Sequence, residues 1–346
     1  MSILNYNNWP NGSANEQFIP VLTVLESAAA QTCLHEATNK ITIPPKSGRS
    51  INLRRWVNPT VSIANSVVTE GVNPNARQLQ SQDYTGTMQR YAELFEVSRI
   101  DYDLHPYDAV KGSSERGANL VARDRERVRY NAAIGGTSVF YNSAAIAARQ
   151  NVNGTFSLGR LQAAVRAIRG AYGESFTKAV GGQSKIGTSP VESALYAFAH
   201  TDLEPDIRNL PGFKTCAEYP TAVGMPYEFG ACQNVRFFTT PEFVPFANSG
   251  ASSTTLISTG TSGISSGSAD VYPIFITATN ALTSIELGGG GVKGFGNAKA
   301  NILNGADKSD PTNERIYIAF DWYDLCYITA QEWCARIEVG ATRNPS

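Results

Sequence analysis

Residues 107–135 read YDAVKGSSERGANLVARDRERVRYNAAIG, and this stretch decides the fold. Val110, Gly117, Val121, Val128 and Ala132 recur at spacings of four and seven, which lays a narrow apolar stripe along one side of a helix. The other sides carry Lys111, Glu115, Arg116, Arg123, Arg125, Glu126, Arg127 and Arg129. Glu126 and Arg129 are three apart, as are Asp124 and Arg127, a spacing that brings side chains together on a helix surface. Asp108 falls in the first turn, where the helix dipole favours an anion, and Gly135-Gly136 stops the helix. Such a helix is about 40 Å long. A stripe this narrow on a rod this long predicts a spine laid across a sheet, not a helix enclosed on all sides.

Working outward, residues 1–46 read as an arm with too little apolar surface to fold alone. It holds a short predicted helix within 18–30 and a short strand at 41–43. Residues 47–100 read as a two-stranded excursion. Ile51, Leu53 and Arg55 alternate with Asn52, Arg54 and Trp56 on the outgoing strand. A long polar tip follows, with Glu70-Gly71-Val72-Asn73-Pro74, and the return strand runs from Tyr84 to Val97. After the spine, Ser157 opens a second amphipathic helix with Leu158, Leu161, Val165, Ile168 and Tyr172 at helical spacing, ended by Gly173. Beyond residue 190 the pattern is mixed. Strands are predicted at 195–199, 235–238, 271–278 and 284–287, with a short helix after His200 and an uncharged Ser/Thr/Gly surface loop at 247–269. The tail, 306–346, alternates as strands that return to the first body.

Composition excludes several function classes. The net charge of −1 provides no basic field for tight nucleic-acid binding. No apolar run is long enough for a membrane span, and the N-terminus lacks the pattern of a secretory signal. The cysteines, Cys33, Cys216, Cys232, Cys326 and Cys334, are five and widely spaced, which suits buried reduced thiols better than a disulfide framework. Only 17% of residues are charged, which suits a surface that meets copies of itself.

Motifs for chemistry are weak. His35, His105 and His200 have no zinc-enzyme spacing, and Cys33 and His35 lack a second pair, so no metal is expected. Gly289, Gly291 and Gly294 match a dinucleotide fingerprint by letter, but no helix pattern follows, so no cofactor is expected. Asp321 and Asp324 flank Trp322-Tyr323 and read as turn formers. A hydrolase would need them to converge with His200.

The order of elements is arm, excursion, spine helix, second helix, mixed domain and returning strands. It resembles the major capsid protein of tailed bacteriophages, with the HK-ninety-seven-like fold. Residues 69–74 (TEGVNP), 84–91 (YTGTMQRY), 97–101 (VSRID), 200–208 (HTDLEPDIR) and Glu228-Phe229-Gly230 with Val235-Arg236-Phe237 resemble stretches of its N-four-like branch. Asn234 stands where a glycine is usual. The resemblance implies an α+β fold. Its parts would be an N-terminal arm (1–46), an E-loop hairpin (47–100), a P-domain with the spine helix (101–189), an A-domain (190–305, with the insertion 247–269) and returning strands (306–346). It implies a structural protein, not an enzyme. Hundreds of copies, as pentamers and hexamers, would close an icosahedral shell in the virion around double-stranded DNA held without sequence specificity. The subunit would be made in the bacterial host cytoplasm. Portal, scaffold and a decoration or cement protein are the implied partners, with no membrane and no cofactor. An encapsulin-like compartment shell would share the fold. Intersubunit candidates are Arg54, Arg55, Glu70, Gly71, Pro74, Arg90, Arg123 and Arg127.

Overall fold

The spine helix spans Ala109–Ile134, 26 residues, and is the second of the helices described below. A computed structural model describes residues 32–63, 67–68, 70–73, 76–104, 108–176, 194–218, 227–259, 267–288, 299–306 and 310–344. The predicted helix within 18–30, Pro74, His105 and the glycines 289, 291 and 294 lie outside them.

In chain order the first half comprises β1 (Thr38–Ile43), β2 (Ser50–Trp56), β3 (Ser81–Thr87), β4 (Gln89–Ser98), α1 (Arg99–Leu104), α2 (Ala109–Ile134), β5 (Val139–Tyr141) and α3 (Leu158–Gly170). The second half comprises β6 (Leu195–Ala199), α4 (Glu204–Arg208), β7 (Lys214–Thr215), β8 (Glu228–Cys232), β9 (Val235–Thr239), β10 (Ser252–Ser253), β11 (Gly267–Ser268), β12 (Tyr272–Thr277), β13 (Leu282–Leu287), β14 (Lys299–Leu303), β15 (Arg315–Ile328) and β16 (Cys334–Val339). The fold is α+β, as expected.

Asp108 is the N-cap of α2, one residue before the helix. Its carboxylate accepts from the Lys111 backbone N–H at 2.9 Å, satisfying a donor that the first turn leaves open. The N-terminal half of α2 lies on β15 and β4. Val121 packs with Val97, Ile316, Ile318, Phe320 and Trp322, and Trp322 stacks on Tyr91 with ring centroids 5.8 Å apart. Gly117 makes this approach possible, because a Cβ there would sit 2.1 Å from the Phe320 ring. The narrow stripe thus faces a sheet, as the periodicity predicts.

The C-terminal end of α2 serves a second body. A seven-stranded mixed sheet runs β5-β16-β12-β6-β9-β8-β7. β6 is buried along its whole length and alternates between two cores. Leu195, Ala197 and Ala199 meet Leu161, Ala164, Val165 and Ile168 of α3 on one face. Tyr196 and Phe198 meet Tyr130 and Ala133 of α2, Phe243 and Phe275 on the other. One helix therefore closes parts of both sheets.

Several sequence expectations change. The return strand breaks at Met88: β3 pairs with β2 in a two-stranded ribbon, whereas β4 pairs with β15 in a five-stranded sheet that also holds β14, β13 and β1. The tail forms one unbroken fourteen-residue β15 on the spine helix, and β16 joins the second sheet instead. Asp321 and Asp324 are therefore mid-strand residues, not turn formers. Tyr172 lies beyond α3, exposed, with φ 61°. The 247–269 segment is not wholly a surface loop. Leu256 is buried, and the buried Asp270 carboxylate accepts from the backbone N–H of Asn248 and Thr259 at 2.8 and 2.9 Å, which pins the segment's base. Asn234, with Gln233, forms a two-residue turn between β8 and β9 with φ of 62° and 52°. That left-handed geometry favours glycine and tolerates asparagine, so the substitution at 234 keeps the turn.

Candidate assembly surface

The ribbon β2–β3 is built by strict alternation and cross-strand pairing from Ser50 opposite Thr87 to Trp56 opposite Ser81. Arg54 lies opposite Asp83 and donates two parallel hydrogen bonds to its carboxylate, at 2.7 and 2.9 Å. The Arg54 guanidinium holds the Asp83 carboxyl below its ordinary pKa, and Asp83 raises that of Arg54. Arg55, on the opposite face of β2, ties the ribbon to the body. It lies 2.7 Å from Glu332 and stacks 4.3 Å over the Trp333 ring. Tyr84 stacks on Tyr327 at 6.1 Å, so the base of the ribbon is fixed on β15.

The tip differs from its sequence reading. It carries Val61 at 84% exposure, Ile63 at 78%, Val67 at 74% and Val72 at 62%, with Trp56, Val68 and Leu79 also exposed. The described tip is mixed: these exposed apolar side chains stand among exposed Asn58, Thr60, Glu70, Asn73, Arg77 and Gln78, so the tip is less polar than the sequence reading has it. Glu70 is exposed at a turn, and Gly71 has φ 83°, a conformation that favours glycine. Several exposed apolar side chains within one ribbon tip suit a protein–protein contact.

Arg90 stands elsewhere, on β4. It donates to both oxygens of Asp321 at 2.8 and 2.9 Å on the sheet face away from the spine helix, and this pair raises the arginine's pKa. Arg123 and Arg127 reach the buried Glu242 at 2.5 and 3.5 Å from half-exposed positions. Arg54, Arg55, Arg90, Arg123 and Arg127 thus all have partners within their own chain.

Pattern reading missed the buried charges of α2. Glu126 and Arg129 were expected along the surface, yet both are buried. One Glu126 oxygen accepts the backbone N–H groups of Cys33 and Leu34 at 2.8 and 2.6 Å, which seats the end of the arm on the spine. Arg125 donates to Glu286 and lies 3.4 Å from Asp324, and Arg129 lies 3.4 Å from the same Glu286. Burial pushes the Asp324 carboxyl up, opposed by Arg129 and Arg125 and reinforced by Glu286. A second such pair joins Arg149 to the buried Glu338 at 2.7 and 2.8 Å. These ties lock helix, arm and both sheets together.

The residues a hydrolase would need are apart in their contacts. His200 packs on Tyr272 and Asp202, Asp321 holds Arg90, and Asp324 faces Arg125. No group of three potential metal ligands occurs among the described residues. Burial pushes the thiols of Cys33 and Cys326 up, and that of Cys334 to about 12, so these thiols stay protonated near neutral pH.

No protein-family model matches the sequence, and no curated protein does. Solved structures do match. The capsid of Ralstonia phage GP4 is 12% identical with a TM-score of 0.65, and the match covers 100% of both chains. The Cyanophage Pam1 capsid is 11% identical with a TM-score of 0.63, covering 99% of this chain and 100% of that one. The head of Helicobacter pylori bacteriophage KHP40 is 11% identical with a TM-score of 0.62, covering 98% and 100%. At these identities the likeness concerns backbone architecture, and it extends from end to end of both chains. The chain therefore has the fold of the major capsid proteins of tailed bacteriophages.

Proposed function

We propose that this protein is a major capsid subunit that self-assembles into an icosahedral shell enclosing phage double-stranded DNA. The observation that carries the reading is the end-to-end likeness to phage capsid chains. The projecting ribbon supports it, because apolar side chains at its tip are exposed in the isolated chain and a second copy would cover them. Pentamers and hexamers in the virion would bring the ribbon of one subunit onto the next. Glu70 and Gly71 at its tip, with Pro74 by sequence, would then be contact residues, and the arginines Arg54, Arg55, Arg90, Arg123 and Arg127 would support the contact while bound to partners in their own chain. The likeness is to viral capsids and heads, which favours a virion subunit over an encapsulin-like compartment. Portal, scaffold and a cement protein on the 247–269 segment belong to the same reading, as does synthesis in the host cytoplasm. The test is expression of the full chain followed by electron microscopy and light scattering. Closed particles are expected, and monomers under all conditions, with or without co-expressed phage proteins, would end the proposal.

A further inference from the structure

The sequence contains three Asn-Gly steps, Asn11-Gly12, Asn153-Gly154 and Asn304-Gly305. The first lies outside the described residues. In such a step the backbone nitrogen of the glycine can close on the side-chain carbonyl carbon of the asparagine, because glycine has no Cβ to obstruct the ring. Asn304-Gly305 directly follows β14, which ends the strand order of the five-stranded sheet, and both residues are exposed. A Cβ at Gly305 would meet nothing within 4 Å, so the surroundings are open.

One side chain holds both reacting groups. Asn313 Oδ1 accepts the Gly305 N–H at 3.1 Å, and Asn313 Nδ2 donates to Asn304 Oδ1 at 2.8 Å. A backbone N–H can only donate, so it fixes which end of the Asn313 amide is the oxygen, and the other end is then a donor aimed at the Asn304 oxygen. Asn313 is itself held in place. Its backbone is left-handed, with φ 54°, and its N–H donates to Asp310 O at 3.2 Å. The Asp310 carboxylate accepts from the backbone N–H groups of Glu314 and Arg315 at 3.0 and 2.9 Å, where β15 begins. Both Asn313 contacts strengthen as the ring closes. The attacked carbonyl oxygen gathers negative charge beside the Nδ2 donor, and the hydrogen on the attacking nitrogen becomes more acidic beside Oδ1.

We propose that Asn304-Gly305 is a self-modification site, with Asn313 as its catalytic residue. The Gly305 nitrogen bonds to Asn304 Cγ, the Cγ–Nδ2 bond breaks, and ammonia leaves with the proton from the Gly305 nitrogen. Water then opens the succinimide to aspartate or isoaspartate. The product carries one new carboxylate at the end of β14 and, as isoaspartate, one extra backbone carbon. The reaction needs only the folded subunit and water, so it does not rest on the shell reading. Asn153-Gly154 provides a contrast. There Asn142 Nδ2 donates to Asn153 Oδ1 at 3.2 Å, a Cβ on Gly154 would sit 2.6 Å from that same nitrogen, and Gly154 O accepts the Gly340 N–H at 2.9 Å. Ring closure in that crowded turn would have to move chain sewn to the end of β16, so Asn153 should convert more slowly than Asn304.

The test is incubation of the unassembled full-length chain in warm, mildly alkaline buffer. Peptide mass spectrometry follows the mass gain of deamidation at Asn304 and Asn153, and an isoaspartyl methyltransferase labels the isoaspartate. Asn304 is expected to convert faster in the folded chain than in the same chain unfolded in guanidinium chloride. Asn313→Gly keeps the left-handed backbone and removes both contacts. It should slow the conversion about tenfold, the worth of one hydrogen bond gained in the transition state. Gly305→Ala puts a Cβ on the attacking residue, in open space, and should suppress the conversion with Asn313 still in place. A wild-type chain that keeps Asn304 intact overturns the proposal, as does a folded chain that converts no faster than the unfolded one. An Asn313→Gly chain, shown by circular dichroism to be folded, that converts at the wild-type rate or faster also overturns it. Should that variant fail to fold, the comparison of folded with unfolded wild type still decides.

Discussion

The spine helix and the ribbon use the same residue types in opposite ways. On α2, arginines that look solvent-directed turn inward: Arg129 is 5% exposed by side chain and Arg125 11%, both against acids. On the ribbon tip, valines and Ile63 set in a stretch that reads as polar point outward. Burying a charge requires a partner in place, so each buried arginine reports a finished interior. An exposed apolar cluster reports a surface whose partner is another molecule. The contrast separates the part of the chain that is complete as a monomer from the part that is not.

The largest expected effect breaks the ribbon. Replacing residues 58–79 by a short turn keeps β2, β3 and the Arg55–Glu332 tie. The variant should unfold in urea at the midpoint of the wild type and form no particles. Normal particles from it would show that the tip is not an assembly element. Ile63→Glu with Val67→Glu should give the same outcome with the chain length unchanged.

The second effect breaks the spine. Arg125→Met takes from Glu286 and the fully buried Asp324 one of the two arginines that serve them, leaving Arg129. Breaking a buried pair in this way costs about 3–5 kcal/mol. Urea unfolding of the unassembled chain measures it, and a loss below about 1 kcal/mol would place the pair in the class of exposed surface bridges, which stabilise little.

How far the sequence reveals this contrast depends on distance along the chain. The α2 bounds are legible to within two residues, because Asp108 and Gly135 are local signals. The burial of Arg125 is not, because its partner Glu286 is 161 positions away and no local spacing connects them. Asp324 is intermediate. It shares the two-residue parity of Ile316, Ile318, Phe320 and Trp322, all buried, so alternation places it on the inner face. Reading Asp321 and Asp324 as a pair around an aromatic turn hides this parity. The tip reads as polar because period-based reasoning counts runs, whereas exposure depends on the ribbon projecting away from everything else. The resemblance of short motifs in order locates the fold.

The smallest effect tests whether the spine's buried charges carry strain that assembly does not need. In the folded chain the Asp324 carboxyl has a pKa raised above 3.8, with burial as the main cause. The folded state therefore holds this proton more tightly than the unfolded state does. Stability from this group is fully present below 3.8 and declines as pH rises through the folded value. Asp83 runs the other way: its lowered pKa makes it stabilising above 3.8 and less so as pH falls. Total stability against pH mixes the two, but the difference between wild type and Asp324→Asn isolates the first. The asparagine variant carries no ionisable group at that site, so it should be closest to or above the wild type at neutral pH. It should lose ground as pH falls through the folded value, above 3.8, where the wild type gains its proton. Urea midpoints of both chains across that range give the answer. A constant gap would mean that Arg125 and Arg129 fully offset the burial of Asp324. The ion network would then be as settled as an apolar core, and the spine would differ from the ribbon even more than its geometry implies.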